Sequence, residues 1–339
     1  MRIVEVDPFD RQSFDAWHDC YLAAERHGHG SIATPWLREE SRVLKQARTP
    51  ASDWRIWATV DRGQVVACAG VEISRLDNLD LALAKVWTAP EHRRRGHGST
   101  LVAHVEEQVR SLGRTKILAE VTFPLTSPAD GAGYGDVEFA RRHGYELALL
   151  DVQRVLDLPV DEARLTGLAE EAAPHHAAYT LRSFRGPVPE ELVAEFAALT
   201  AALPTEAPVG ELGLEEAVAD VVAFRAEEAT LAAQRRTRWA TVAVAADGTL
   251  AGYTDICTSE LEPERAWQWG TLVHGAHRGA RLGLALKVHN LRVLQEGDPR
   301  VRQVHTWNAQ VNAHMVGVND RLGYRPVARL GEFKKLLTA

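Results

Sequence analysis

Apolar residues gather in short β-like runs, then recur at helical spacing, and the chain does this twice. Trp54–Val60 (WRIWATV) and Val65–Ile73 (VVACAGVEI) flank Asp61-Arg62-Gly63-Gln64, which predicts a hairpin. Ala240–Ala245 and Leu250–Cys257 flank Asp247-Gly248-Thr249 in the same way. Each hairpin leads to a further strand, a His-Arg pair and a basic loop containing glycine. A helix follows, marked by Leu101, Val105, Val109 and Leu112 in the first half and by Leu284, Val288 and Leu291 in the second. Short strands come next, Lys116–Val121 and Val301–Trp307. A second helix then closes on a Gly-Tyr pair, Gly144-Tyr145 or Gly323-Tyr324. Arg93 aligns with Arg278 and Gly98 with Gly283, so the chain reads as a tandem repeat.

That pattern predicts an α+β fold with two domains, each a mixed central β-sheet flanked by helices. The expected boundaries are 1–158 and 179–339. A linker, 159–178, is punctuated by Pro159 and Pro174, with room for a short helix over Glu162–Ala173. Tyr179-Thr180-Leu181 restarts the second half with a strand.

Composition narrows the partners. The 339 residues are 45% hydrophobic and 25% charged, with net charge −7. No global basic field recruits nucleic acid, and the His92-Arg93-Arg94-Arg95 run fits a phosphate ligand better than DNA or RNA. Cys20, Cys68 and Cys257 are too few and too scattered for a disulfide framework, which fits a reducing cytoplasm. The N-terminus carries acids where a signal peptide needs apolar residues, and no run approaches a membrane span. His27-Gly28-His29 and His175-His176 lack companions at ligand spacing, so no metal is expected.

The two loops carry the chemistry. A strand enters a Gly-containing turn and a helix starts at once, presenting free N–H groups and the positive end of its dipole. Such a terminus binds phosphate, and arginines add charge-assisted hydrogen bonds. The candidate cradles are Arg93, Arg94, Arg95, Gly96, His97, Gly98 and Ser99, and Arg278, Gly279, Ala280, Arg281, Leu282, Gly283 and Leu284. Neither matches a nucleotide-binding P-loop or a dinucleotide fingerprint.

The first loop has the form R-x-x-G-x-G. In the second half, Asn312, Met315, Asn319 and Leu322-Gly323-Tyr324 fit N-x-x-M-x-x-x-N-x-x-L-G-[FY]. In these motifs the chain resembles the GNAT superfamily of N-acyltransferases, and its tandem members of the mycothiol-synthase type. The resemblance implies acetyl-CoA as co-substrate and an amine as acceptor. It implies two splayed strands that admit the pantetheine arm along Val86, Trp87 and Thr88, and along Thr271, Leu272 and Val273. Asn308 and Asn312 are expected on the coenzyme, and the Val273 N–H at the oxyanion. The tyrosine that serves many members as acid is replaced by Asn319 in the second half and Ala140 in the first. Glu260 or Glu264 is the expected base, with Glu262, Asp255 and His274 as alternatives. The C-terminal domain is expected to catalyse, as in tandem relatives. Tyr324 reads as core, and Trp267 with Trp269 as one face of a strand, either core or acceptor wall. A non-catalytic acyl-CoA-binding or sensing protein is the competing expectation.

Overall fold

The computed structural model describes residues 1–337, which form two compact units. The first comprises Met1–Asp151, Gly210–Gly213 and the chain from Ala328; the second comprises Val152–Val209 and Leu214–Val327.

In the first unit β1 (Arg2–Glu5), α1 (Arg11–Arg26) and α2 (Arg38–Gln46) precede β2 (Ser52–Asp61), β3 (Gln64–Ser74) and β4 (Leu81–Thr88). Then come α3 (His97–Ser111), β5 (Lys116–Pro124), α4 (Gly135–Arg142) and the start of β6 (Glu146–Asp157). Strands β1 to β4 pair antiparallel in chain order, and β4 pairs parallel with β5. The β2–β3 hairpin turns on Arg62 and Gly63, both at positive φ (50° and 83°), as a right-twisted two-residue turn requires. Side chains alternate between two faces. Trp57, Ala69, Val71, Ala82 and Ile117 pack beneath Leu101, Val105 and Val137 of α3 and α4. On the other face Ile56, Ala58 and Cys68 pack against Phe14, Trp17 and Tyr21 of α1.

The second unit repeats this plan with α5 (Glu162–Ala172), β7 (Thr180–Arg185), α6 (Val193–Glu206), α7 (Val221–Ala233), β8 (Arg236–Val244), β9 (Leu250–Ser259) and β10 (Arg265–Val273). Next are α8 (Leu282–Gly297), β11 (Gln303–Ala309), α9 (Ala313–Leu322) and β12 (Arg325–Leu336). Ile256, Ala266 and Val304 meet Leu284 and Leu291 of α8 on one face. Val242, Tyr253 and Leu272 meet Phe196 and Phe224 of α6 and α7 on the other.

The units are not the contiguous halves that the sequence pattern implied. From Ala328 onward β12 belongs to the first unit, antiparallel to β5 from Ala328↔Pro124 to Leu336↔Lys116. The far end of β6 belongs to the second, where it neighbours β11: Leu158 N donates to Arg302 O (2.7 Å) and Gln303 Nε2 to Asp157 Oδ1 (2.9 Å). The expected linker 159–178 is no tether, because α5 sinks Leu165 and Leu168 into the second unit's core. Periodicity locates a strand but says nothing about which edge it joins.

Candidate active site

Both units part their two central parallel strands. In the first, β4 and β5 are in register only at Leu81↔Lys116, Ala82↔Ile117 and Leu83↔Leu118, whereas β4 stays paired with β3 as far as Thr88. In the second, β10 and β11 are paired only over Arg265–Trp267, whereas β10 follows β9 to Val273↔Gly252. Ala89 N donates to Val66 O (3.1 Å) and His274 N to Ala251 O (2.9 Å). Backbone direction alternates along a strand, so the N–H groups of Thr88 and Val86, and of Val273 and Thr271, turn into the gaps. Half-buried edge N–H groups of this kind are available to a hydrogen-bonding guest. The second unit also has a bulge between Gln268 and Thr271, absent from β4.

Each gap ends at a cradle. Positive φ falls on Arg94 (63°) and Gly96 (86°) in the first, and on Gly279 (87°) and Arg281 (51°) in the second. The two left-handed positions are the same, with glycine and arginine traded. Arg281 therefore keeps the loop's form, at the strain that a side chain bears there. Neither α3 nor α8 has a side-chain cap at its N-terminus, which leaves the first-turn N–H groups for an anion. Arg93 Nε and Arg278 Nε lie 3.5 and 3.4 Å from the carbonyl oxygens of Thr88 and Val273, matched contacts. A Cβ on Gly98 would stand 3.1 Å from Thr88 Oγ1 and 3.2 Å from Phe139, so this glycine lets α3 approach β4. One on Gly283 meets only Val273, at 4.0 Å.

The cradles differ in charge. Arg93 pairs with Asp136 (3.3 Å), and among the described residues Arg94 and Arg95 meet no acid. In the second, Arg278 pairs with Glu206, and Arg281 shares Glu171 with Arg321.

The faces opposite α3 and α8 differ more. In the first unit Lys85 of β4 and Glu120 of β5 form an ion pair (2.5 Å) while 45% and 42% exposed, and neighbouring Leu83 is 42% exposed. These are central strands, so the sheet is open there. Glu332 of β12 stands opposite Glu120. Burial, then the negative charges of Asp151 and Glu120, push the Glu332 carboxyl up to about 8, against a smaller opposing pull from Lys85. Burial pulls the Lys85 ammonium down, but Glu120, Glu25 and Glu332 more than offset it and its pKa is raised. Trp87 Nε1 donates to Glu25 (2.6 Å). Tyr134, the residue before α4, reaches toward the α1–α2 loop, its hydroxyl 3.9 Å from where a Cβ on Gly28 would be.

In the second unit the same face is filled. Asp255 accepts from Gly270 N (2.7 Å) and lies 3.3 Å from Arg238 Nε, and Arg238 pairs with Glu228 (3.1 Å). Gln268 donates to the carbonyl oxygens of Asp255 (2.6 Å) and Gly270 (2.9 Å). Asp255, Arg238, Gln268, Tyr253, Phe196 and Phe224 are all buried. Burial raises the Asp255 pKa, partly offset by Arg238. A Cβ on Gly270 would strike the Tyr253 hydroxyl at 2.3 Å, so no space is left.

Several sequence-predicted roles fail on position. Glu260 is exposed and paired with Arg235 (3.0 Å), and Glu264 is exposed in the β9–β10 turn. Both lie at the opposite end of β10 from Val273, roughly 30 Å away at ~3.3 Å per residue, too far for a base. Asn312 is the N-cap of α9, accepting from Met315 N (3.1 Å). Asn319 is fully buried and donates to Asn308 (2.6 Å), while its own oxygen has no hydrogen-bond partner among the described residues. Trp267 is buried under Arg236, but Trp269 is 37% exposed at the bulge, where alternation breaks. Tyr324 packs in the core. Lys85, Glu120, Glu332 and Tyr134 were not anticipated. Tyr134 sits in a Pro- and Gly-rich stretch with no periodic pattern to single it out.

A parted parallel strand pair that runs into an uncapped, left-handed basic turn is the architecture of an acyl-CoA-dependent acyltransferase. Residues 10–145, in the first unit, match the model of the acetyltransferase (GNAT) family, and the chain as a whole is similar to tandem GNAT proteins. It is similar over its whole length to a tandem GNAT protein from the clavulanic acid biosynthesis pathway, at 26% identity and TM-score 0.80, covering 99% of that chain. It shares its fold with a GCN5-related N-acetyltransferase from Sphaerobacter thermophilus (16% identity, TM-score 0.66, 100% of this chain and 96% of that one). It also shares it with Saccharomyces cerevisiae N-myristoyltransferase, solved with bound myristoyl-CoA (10% identity, TM-score 0.58, 100% and 79%). No curated protein matches the sequence.

Proposed function

We propose that the chain is a cytoplasmic N-acetyltransferase that moves an acetyl group from acetyl-CoA to an amine, and that the transfer takes place in the first unit. The observation that carries this is the open face at Lys85 and Glu120, set against the filled face at Asp255. The coenzyme's pyrophosphate sits on the α3 N-terminus with Arg93, Arg94 and Arg95, and its arm pairs with the backbone of Val86 and Thr88. That leaves the α1 face for the amine.

Glu332 takes the proton that an ammonium must lose before it attacks, directly or through water. The amine nitrogen then bonds to the thioester carbon, whose oxyanion is held by the Thr88 N–H. The C–S bond breaks, the departing thiolate takes a proton from Tyr134, and the surplus proton on the newly acylated nitrogen passes back to the Tyr134 phenolate, directly or through water. The second unit keeps its gap and cradle and binds acyl-CoA without transferring it, which is the alternative reading confined to one unit.

Calorimetric titration of acetyl-CoA tests this, with thiol release from added amines as the second readout. An Arg94→Glu/Arg95→Glu variant loses turnover and one binding site. An Arg278→Glu/Arg281→Glu variant loses a binding site and keeps turnover. The reverse pattern puts the reaction in the second unit.

A further inference from the structure

Ser99 is the third residue of α3, in the turn that the first cradle offers to a phosphate. Helix side chains lean toward the N-terminus, so its hydroxyl lies beside the uncapped N–H groups. Thr100, next in line, turns its own hydroxyl inward to Gly96 O (3.2 Å). Ser99 Oγ meets His143 Nε2, just past the end of α4, across 3.0 Å. Both residues are only partly buried, so a ligand reaches them. The second unit has no such pair. Alignment on Gly98 with Gly283, and on Gly144 with Gly323, puts Leu284 and Leu322 at these positions, both buried in that unit's core.

The direction of the Ser99–His143 bond turns on one proton. On a neutral ring with a bare Nε2, the serine hydroxyl donates to the nitrogen. On an imidazolium, Nε2–H donates to Oγ, and the hydroxyl proton is free to point at an anion. Burial lowers the His143 pKa, Glu106 of α3 opposes this, and Lys335 of β12 and Arg142 of α4 lower it further. Glu106 is itself held by Lys335 (2.7 Å) and Arg110 (3.8 Å), with the Tyr145 hydroxyl hydrogen-bonded to it. The empty site therefore keeps the ring neutral near neutral pH. A phosphate beside Ser99 favours the imidazolium.

We infer that His143 and Ser99 form a proton-gated clamp on a phosphate of the coenzyme, so that binding to the first cradle takes up a proton and binding to the second does not. The inference rests on the first cradle holding the coenzyme, and is independent of where transfer takes place.

Calorimetry of coenzyme A against the Arg278→Glu/Arg281→Glu variant reads the first site alone. The Kd should rise about tenfold or more from about pH 6 to about pH 8, and the heat should vary with the ionisation enthalpy of the buffer, as proton uptake requires. The coenzyme's 3′-phosphate titrates near about 6 on its own, so the effect is read as the difference that His143→Leu makes in the same background. His143→Leu copies the second unit and should flatten the profile to that residual slope. His143→Lys carries its charge at both ends of the range and should keep the tighter Kd at the alkaline end. Ser99→Ala should weaken binding at the acid end and leave the alkaline end near the parent. A contact that only braced α3 against α4 would shift Kd equally at every pH. Dephospho-coenzyme A keeps the His143 difference if the clamp serves the pyrophosphate and loses it if the clamp serves the 3′-phosphate. Coinciding pH profiles of the background, His143→Leu and Ser99→Ala, all folded by circular dichroism, overturn the clamp. No coenzyme binding in the background, with binding retained in Arg94→Glu/Arg95→Glu, overturns the first cradle as a coenzyme site.

Discussion

The two cradles and the two faces above them have diverged to different degrees. Between the cradles one glycine and one arginine change places, and backbone dihedrals, uncapped helix and arginine-to-carbonyl contact all persist. Between the faces almost nothing persists. Gly70 and Lys85 occupy the open one at the positions that Asp255 and Gly270 hold in the filled one. A cradle made of backbone tolerates exchange of side chains so long as the left-handed turns survive. A face made of side chains tolerates nothing, since one hydroxyl over Gly270 closes it.

Charge reversal in the first cradle should separate the units most sharply. Arg94→Glu/Arg95→Glu is expected to lower kcat/KM by about a hundredfold or more, as charge-assisted phosphate contacts turn repulsive. The same reversal at Arg278 and Arg281 should change it by less than about threefold. Equal losses would show that the units work together. Next, Glu332→Gln should cut kcat by about a hundredfold, within the range of general base catalysis. In the parent, kcat/KM should climb with pH through about 8, as the carboxyl loses its proton, and the variant should lack this limb.

The same carboxyl makes a stability prediction of defined sign. Its folded value lies above the ordinary 4.5, so its contribution is fully present below that pH and is lost as pH rises through about 8. Melting curves of Glu332→Gln should show less decline over that window than the parent.

Asp255→Ala should leave turnover per folded molecule unchanged but cost about 1–3 kcal/mol by denaturant unfolding, because it leaves the buried Gly270 N–H without its acceptor while Arg238 keeps Glu228. A loss of turnover without a loss of stability would return the chemistry to the second unit. Arg281→Gly is the mildest change. Relief of left-handed strain, about 1 kcal/mol, is offset by loss of a surface ion pair worth up to about 1 kcal/mol. Little net shift in Tm is expected.

The repeat, the hairpins and both cradles were legible because each is local: a period, a turn dipeptide, a glycine before a helix. Strand Trp54–Val60 became Ser52–Asp61, and the helix from Glu162 ends at Ala172. Glu332 was invisible because its place depends on β12 joining β5, a pairing between residues far apart in the chain. Glu260 and Glu264 are where the resemblance puts a base, before the strand that should face the acceptor, but the length of β10 separates them from the end that borders the gap. Arg281 stands where the first loop has Gly96, and its φ of 51° gives the second turn the same left-handed form.

The crossing of β6 and β12 has a consequence during synthesis. When the ribosome has made β5, the strand that will cover its edge is still roughly 200 residues away. At about 5–20 residues per second, that edge waits for roughly 10–40 s. A nascent chain holding an uncovered strand for so long is a natural client for chaperones. A chain cut short before Ala328 would leave the β5 edge uncovered, so the first unit's sheet waits on a strand made long after its neighbours.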